Sequence, residues 1–235
     1  MLDLIGAIAA GAAFAMLAGT IAVYLPADLA PRWLAGTVAW AAAIVTVAAL
    51  GGFAPDAPGR LPTPGFAFIA ILAALFGTFR LSARFRSALL SIPLPVLVGL
   101  NIARIGGVFF LLLLADQRAP SPFAPSAGWG DIITGVVAIP LTLALARNAA
   151  PAWSVKLWNA FGTLDLIVAV ALGLLSAPTP FQVFTAAPGT AVLTSLPWIL
   201  IPTVLVPIFL LLHLVIAAKI RSAESVSHTR FVPST

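Results

Sequence analysis

Residues 96–114 read VLVGLNIARIGGVFFLLLL, an almost unbroken apolar run with a single charge, Arg104, near its centre. Crossing the hydrocarbon of a bilayer takes about 20 apolar residues of helix, so this stretch reads as a membrane span. Its arginine is the second signal. A charged side chain at mid-depth costs at least about 2.5–3.5 kcal/mol on insertion scales, so it needs a partner or a purpose.

The rest of the chain has the same character. Of 235 residues, 61% are hydrophobic and 8% charged, and the mean hydropathy is +1.12. That leaves too little polar surface to coat a water-soluble globule. Apolar runs bounded by proline, glycine or charge predict helices over residues 4–24, 33–53, 64–80, 94–115, 131–148, 157–176 and 195–220. The runs are continuous and rich in alanine and leucine, without the period-two alternation of a β-barrel. The expected fold is therefore all-α, a polytopic bundle of about seven transmembrane helices. Residues 1–221 form one membrane domain and residues 222–235 a disordered cytoplasmic tail.

The first run lacks a basic leader, carries Asp3 and is of spanning length, so it reads as a retained helix and not as a signal peptide. Helix one also holds Gly6, Gly11 and Gly19 among alanines, small residues that permit close helix contact. Cysteine is absent, which removes disulfides, thiolate ligands and thiol redox chemistry. The sequence pI near 11.1 reflects membrane topology and not a nucleic-acid partner, because the cations sit in loops between apolar helices. Arg32, Arg80, Arg84, Arg86, Arg147, Lys156, Lys219, Arg221 and Arg230 fall on one side, against Arg60 and Arg118 on the other. That bias predicts an outside N-terminus and a cytoplasmic C-terminus. Residues 116–130, DQRAPSPFAPSAGWG, read as an outer loop with three prolines that either caps the bundle or simply connects two spans.

Polar residues inside spans are few. Arg104 shares a helix face with Asn101; Asp165 has Gly162 near its face and Asn159 nearer the cytoplasm; His213 lies six residues before Lys219. At about 1.5 Å per residue, Arg104, Asp165 and His213 fall in one layer in the cytoplasmic half, and Arg104 with Asp165 is the expected pair. Asp131, at the expected start of helix five, reads as an outer-mouth residue or N-cap beyond the reach of Arg104. The triplets Asp131-Ile-Ile and Asp165-Leu-Ile form a weak echo between helices five and six. Pro197, Pro202 and Pro207 free backbone carbonyls just above His213.

No Walker loop, HExxH, GxSxG, Rossmann fingerprint or cysteine pair occurs, and the few acids and histidines cannot build a metal cage. A retinal Schiff base needs a lysine deep in helix seven, whereas Lys219 stands at its end. Two-histidine haem ligation is excluded because the other histidine, His228, is in the tail.

The motifs Asn101-x-x-Arg104-x-x-Gly107, Pro122-x-Ala124, Ala127-Gly128-Trp129-Gly130-Asp131-Ile132, Trp158-Asn159-x-x-Gly162-x-x-Asp165-Leu166 and Pro207-x-x-x-Leu211-x-His213 resemble a group of uncharacterised bacterial polytopic inner-membrane proteins. The resemblance covers residues 93–219. It implies a bacterial inner membrane and a site built from those polar positions, with no activity to carry over. Three readings stand open. One is a small permease or solute-binding membrane protein, alone or as a homo-oligomer, with Arg104, Asp165, His213, Asn101, Asn159 and Asp131 binding a small polar or anionic solute or relaying protons. The second is a structural or assembly subunit of a membrane complex. The third is a membrane enzyme with haem or chlorin on His213.

Overall fold

A computed structural model describes residues 1–53 and 63–229. Arg60 and Arg230, counted in the charge bias, lie outside the described residues, as does the side chain of His228. Among the described residues the fold is helical, with seven segments long and apolar enough to cross a membrane. They are α1 (Leu2–Tyr24), α2 (Ala30–Ala49), α3 (Thr63–Leu81), a composite fourth span (Leu94–Ala115), α7 (Phe123–Ala146), α8 (Ala152–Leu175) and a last span that enters α9 (Val206–Thr229). The fourth span joins α5 (Leu94–Gly99), a 3-10 helix (Leu100–Gly107) and α6 (Val108–Ala115).

Side-chain ties fix the antiparallel order. On the face holding the N-terminus, Asp3 accepts from Arg118 at 2.9 Å and from the Trp198 indole at 2.7 Å, and Gly6 leaves room for that indole, since a Cβ there would lie 2.6 Å from it. On the opposite face Arg84 meets Asp28 at 2.6 Å, and Lys219 donates to the Leu90 carbonyl at 2.6 Å.

The last span is the axis of the bundle: 72% of its most apolar window is buried, against 11% for α3. It enters through a π-helical turn, Ile201–Leu205, with Pro202 inside the turn and Pro207 just beyond it. Pro207 has no N–H to give the Thr203 carbonyl, and the Trp40 indole of α2 donates to that oxygen instead, at 2.8 Å. The prolines are thus accommodated by a tertiary bond and a widened turn. The run expected from residue 195 becomes helical only at Ile201, and α9 continues to Thr229, into the stretch expected as tail.

Two further boundaries differ from the sequence reading. A short helix, α4 (Ala83–Ser91), occupies what was expected as a charged loop. The Ser82 hydroxyl caps it by accepting from the Phe85 N–H at 3.2 Å, and Phe85, Ala88, Leu89 and Ile92 turn inward at helical spacing. More important for the site, α7 begins at Phe123 and not at 131. The prolines of residues 116–130 suggested an irregular loop, but Pro125 lies in the first turn of the helix, where its missing N–H has no intrahelical partner to lose. The expected outer cap shrinks to residues 116–122.

Glycine brings the fourth span against α7. A Cβ on Gly107 would lie 2.8 Å from the Gly128 carbonyl, and one on Gly135 would lie 2.7 Å from the Ile105 nitrogen. Contact this close between backbones is what small residues permit in membrane helices. It is this approach that sets Arg104 against α7.

Candidate functional site

The early start of α7 moves Asp131 inward. Eight residues beyond Phe123, it sits about 12 Å along the helix axis, about a third of the way along the 24 residues of α7. The outer-mouth and N-cap readings are therefore corrected: Asp131 Oδ1 accepts from Arg104 Nε at 2.6 Å. From the other side Arg104 Nη2 donates to Asp165 Oδ2 of α8. The remaining amino group, Nη1, reaches the Gly162 carbonyl at 3.0 Å and His213 Nε2 at 2.9 Å. Four of the five guanidinium N–H groups are thus committed, and the group has no exposed surface. The Phe209 ring lies beneath it, 5.9 Å from Cζ to centroid, within cation–π range. Counted along their own spans, Arg104, Asp165 and His213 all stand near the middle of Leu94–Ala115, Ala152–Leu175 and Ile201–Ser222.

Hydrogen-bond chemistry assigns the histidine tautomer. A guanidinium offers only donors, so His213 Nε2 must accept and its proton must sit on Nδ1. That proton is donated to Asn159 Oδ1 at 2.8 Å, and Asn159 Nδ2 returns a bond to the His213 carbonyl at 3.3 Å. The Trp158 ring lies 5.4 Å away, and its indole donates to the Thr134 carbonyl at 3.0 Å. Both imidazole nitrogens are occupied, leaving none for iron, so the haem or chlorin reading does not fit this geometry. While Arg104 donates to Nε2, the ring has no free nitrogen lone pair.

Asn101 does not join the cluster. Its Nδ2 donates to the Leu97 carbonyl at 3.0 Å within the fourth span, and its buried Oδ1 has no partner among the described residues. The two asparagines should therefore behave differently. Asn159→Leu is expected to destabilise the protein by about 1–3 kcal/mol, because it orphans the buried Nδ1–H of His213. Asn101→Leu removes an acceptor already unsatisfied and is expected to be neutral or mildly stabilising. Melting temperatures in mild detergent would compare them.

Sequence reasoning gave Gly130, Thr134 and Phe209 no part in the site and noted Gly162 only as lying near the face of Asp165. A Cβ on Gly130 would overlap the Asp165 carboxylate, and one on Gly162 would lie 2.7 Å from the His213 ring. The GWGD and NAFGTLD stretches carried the signal, a small residue beside each acid.

Charge does not balance here. Two carboxylates face one guanidinium and a histidine in its neutral form, so with both acids ionised the cluster carries one net negative charge. Asp165 is 8% exposed and Asp131 16%, and the exposure of Asp131 is into cavities. One, of about 240 Å³, lies between the start of α3 and the second half of α8; its wall is apolar except for Asp131 and a few threonines, among them Thr190 and Thr194. A second, of about 80 Å³, lies on the α1 side and touches Arg104, Asp131 and Trp198. Asp131 borders both. With four of its five donors committed and its side chain enclosed, Arg104 has little to offer an anion.

Neither the curated proteins nor the solved structures match this chain. A family model does, a domain of unknown function termed DUF8737, over residues 61–221. The match runs from just before α3 into α9 and includes every residue of the cluster. Two of the seven spans, α1 and α2, precede it. A multi-pass helical chain with a buried Arg/Asp/His cluster, this protein belongs to the DUF8737 family.

Proposed function

We propose that this protein is a small permease or solute-binding protein of a bacterial inner membrane, and that Asp131 holds the solute in exchange for a proton. One observation carries the reading: a cavity beginning near the N-terminal face ends at a carboxylate in a cluster one positive charge short of neutrality. Buried acids in spans that face a cavity mark solute or proton pathways more often than inert packing. The loop bias of lysine and arginine supports an outside N-terminus and a cytoplasmic C-terminus, so the larger cavity opens outward.

The absence of cysteine makes a direct test simple. Ala169 lines the larger cavity one turn from Asp165, whereas Ile133 is exposed on the outer surface of α7 and lines neither cavity. Ala169→Cys is expected to react with a membrane-impermeant thiol reagent added outside intact cells, and Ile133→Cys is expected not to react. Labelling of Ala169→Cys only in inverted vesicles would reverse the orientation. No labelling from either side would mean that water does not reach the cavity, and the permease reading would fall.

A further inference from the structure

Resting on that reading, we infer that the larger cavity takes a lipid-soluble amine, with its ammonium group on Asp131 and its apolar body between α3 and α8. Three features of the cavity select this class. First, the sign of the charge: Arg104 holds one oxygen of each carboxylate and is itself fully enclosed. The other oxygen of Asp131 receives no hydrogen bond among the described residues. A cation arriving there in place of the proton keeps the cluster neutral, whereas an anion meets an enclosed guanidinium and adds its charge to that of the two acids.

The second is the wall. Phe68, Phe110, Phe123, Leu166 and Val170 line the approach to Asp131. A strongly hydrated solute such as a metal ion or a sugar would lose its water along this path without replacement. An alkyl or aryl body loses nothing, and aromatic rings near the carboxylate favour a cationic head further. The third is size. At about 240 Å³ the cavity is smaller than the roughly 300–1,000 Å³ clefts that take drug-sized ligands. That suits an amine head with a short apolar stem, and any longer tail continues toward the lipid between α3 and α8. Thr190 and Thr194 stand along the wall, but Thr190 already donates to the Gly173 carbonyl at 2.9 Å, so the strongest polar anchor in the cavity is Asp131.

The experiment uses the full chain in lipid nanodiscs and a matched pair of probes, decylamine and decanol, with binding read by calorimetry against empty nanodiscs. Decylamine is expected to bind saturably and at least about tenfold more tightly than decanol, as a close desolvated charge pair requires. Asp131→Asn is expected to erase the difference. Because that variant disturbs the Arg104 cluster, Ala169→Trp serves as the second: it fills the cavity while leaving every charged residue of the cluster in place, and it is expected to abolish decylamine binding in a protein that still folds. Equal binding of the two probes would assign the cavity to acyl chains and overturn the amine. Unchanged decylamine binding in Asp131→Asn or in Ala169→Trp would overturn it as well. If Ala169→Cys is labelled from outside while decylamine fails, the permease reading survives and only the ligand class falls.

Discussion

Arg104→Met is expected to abolish the folded protein, the largest effect of any single substitution in this chain. The guanidinium is bonded to Asp131, Asp165, the Gly162 carbonyl and His213 Nε2. Methionine fills a similar volume but leaves two carboxylates facing each other across the vacated space with no counter-charge. Removing one partner of a buried ion pair costs about 3–5 kcal/mol. Here two acids and a histidine lose their partner together, in a protein whose whole stability is on the order of 5–15 kcal/mol. The measurement is the yield of monodisperse protein after extraction in mild detergent, with the melting temperature of whatever survives. The informative companion is the neutral triple variant Arg104→Met, Asp131→Asn, Asp165→Asn. Replacing all the charges of a buried network is often tolerated where replacing one is not, so the triple is expected to recover folded yield. If Arg104→Met alone melted within a few degrees of the parent protein, the two acids would have to be solvated, and the enclosed cluster would be refuted. A simple exchange of Arg104 with Asp165 is a poorer test, since Asp131 would then face a second acid at position 104.

How far the sequence reaches is clear from this same cluster. Apolar run length located all seven spans, because the bilayer thickness imposes a length that local propensity cannot override. Depth counting brought Arg104, Asp165 and His213 into one layer for the same reason. Asp131 was misplaced by one boundary: Pro120, Pro122 and Pro125 read as loop, whereas the helix starts between the second and third of them. Proline in a first turn and proline in a loop look alike in a linear pattern, and only the packing of Gly128 on Gly107 separates them. The weak echo between Asp131-Ile-Ile and Asp165-Leu-Ile acquires a structural meaning from this, since the two acids reach Arg104 from neighbouring helices. The tautomer of His213 was out of reach, because it depends on which ring nitrogen meets a donor-only group. The cavity was equally illegible. Its walls come from α3, α7, α8 and the π-helical turn, and none of these segments has enough amphipathic character to fix its rotation from sequence.

Gly130→Ala is expected to be the second most damaging change, although it adds one methyl group. The new Cβ would overlap the carboxylate of Asp165, the group that completes the ion pair with Arg104. Neither α7 nor α8 can back away cheaply, because α7 is held against the fourth span through Gly107, Gly128 and Gly135. The carboxylate must leave Arg104 instead. Overpacking in a close-fitted interior costs about 1–3 kcal/mol by itself, and a displaced, unpaired acid adds to it. Gly106→Ala is the control, since a Cβ there meets nothing within 4 Å. It is expected to leave the melting temperature unchanged or slightly raised, alanine being the better helix former. A double-mutant cycle then isolates the cause. Asp165→Ala removes the obstructing carboxylate and leaves Arg104 balanced one to one with Asp131. If the clash is with Asp165, the double variant Gly130→Ala, Asp165→Ala should be scarcely less stable than Asp165→Ala alone, giving a coupling of about 0.5–3 kcal/mol. Strict additivity would show that Gly130 is required for some contact other than the one with Asp165. In that event the glycine would belong to the packing of α7 and not to the charge cluster.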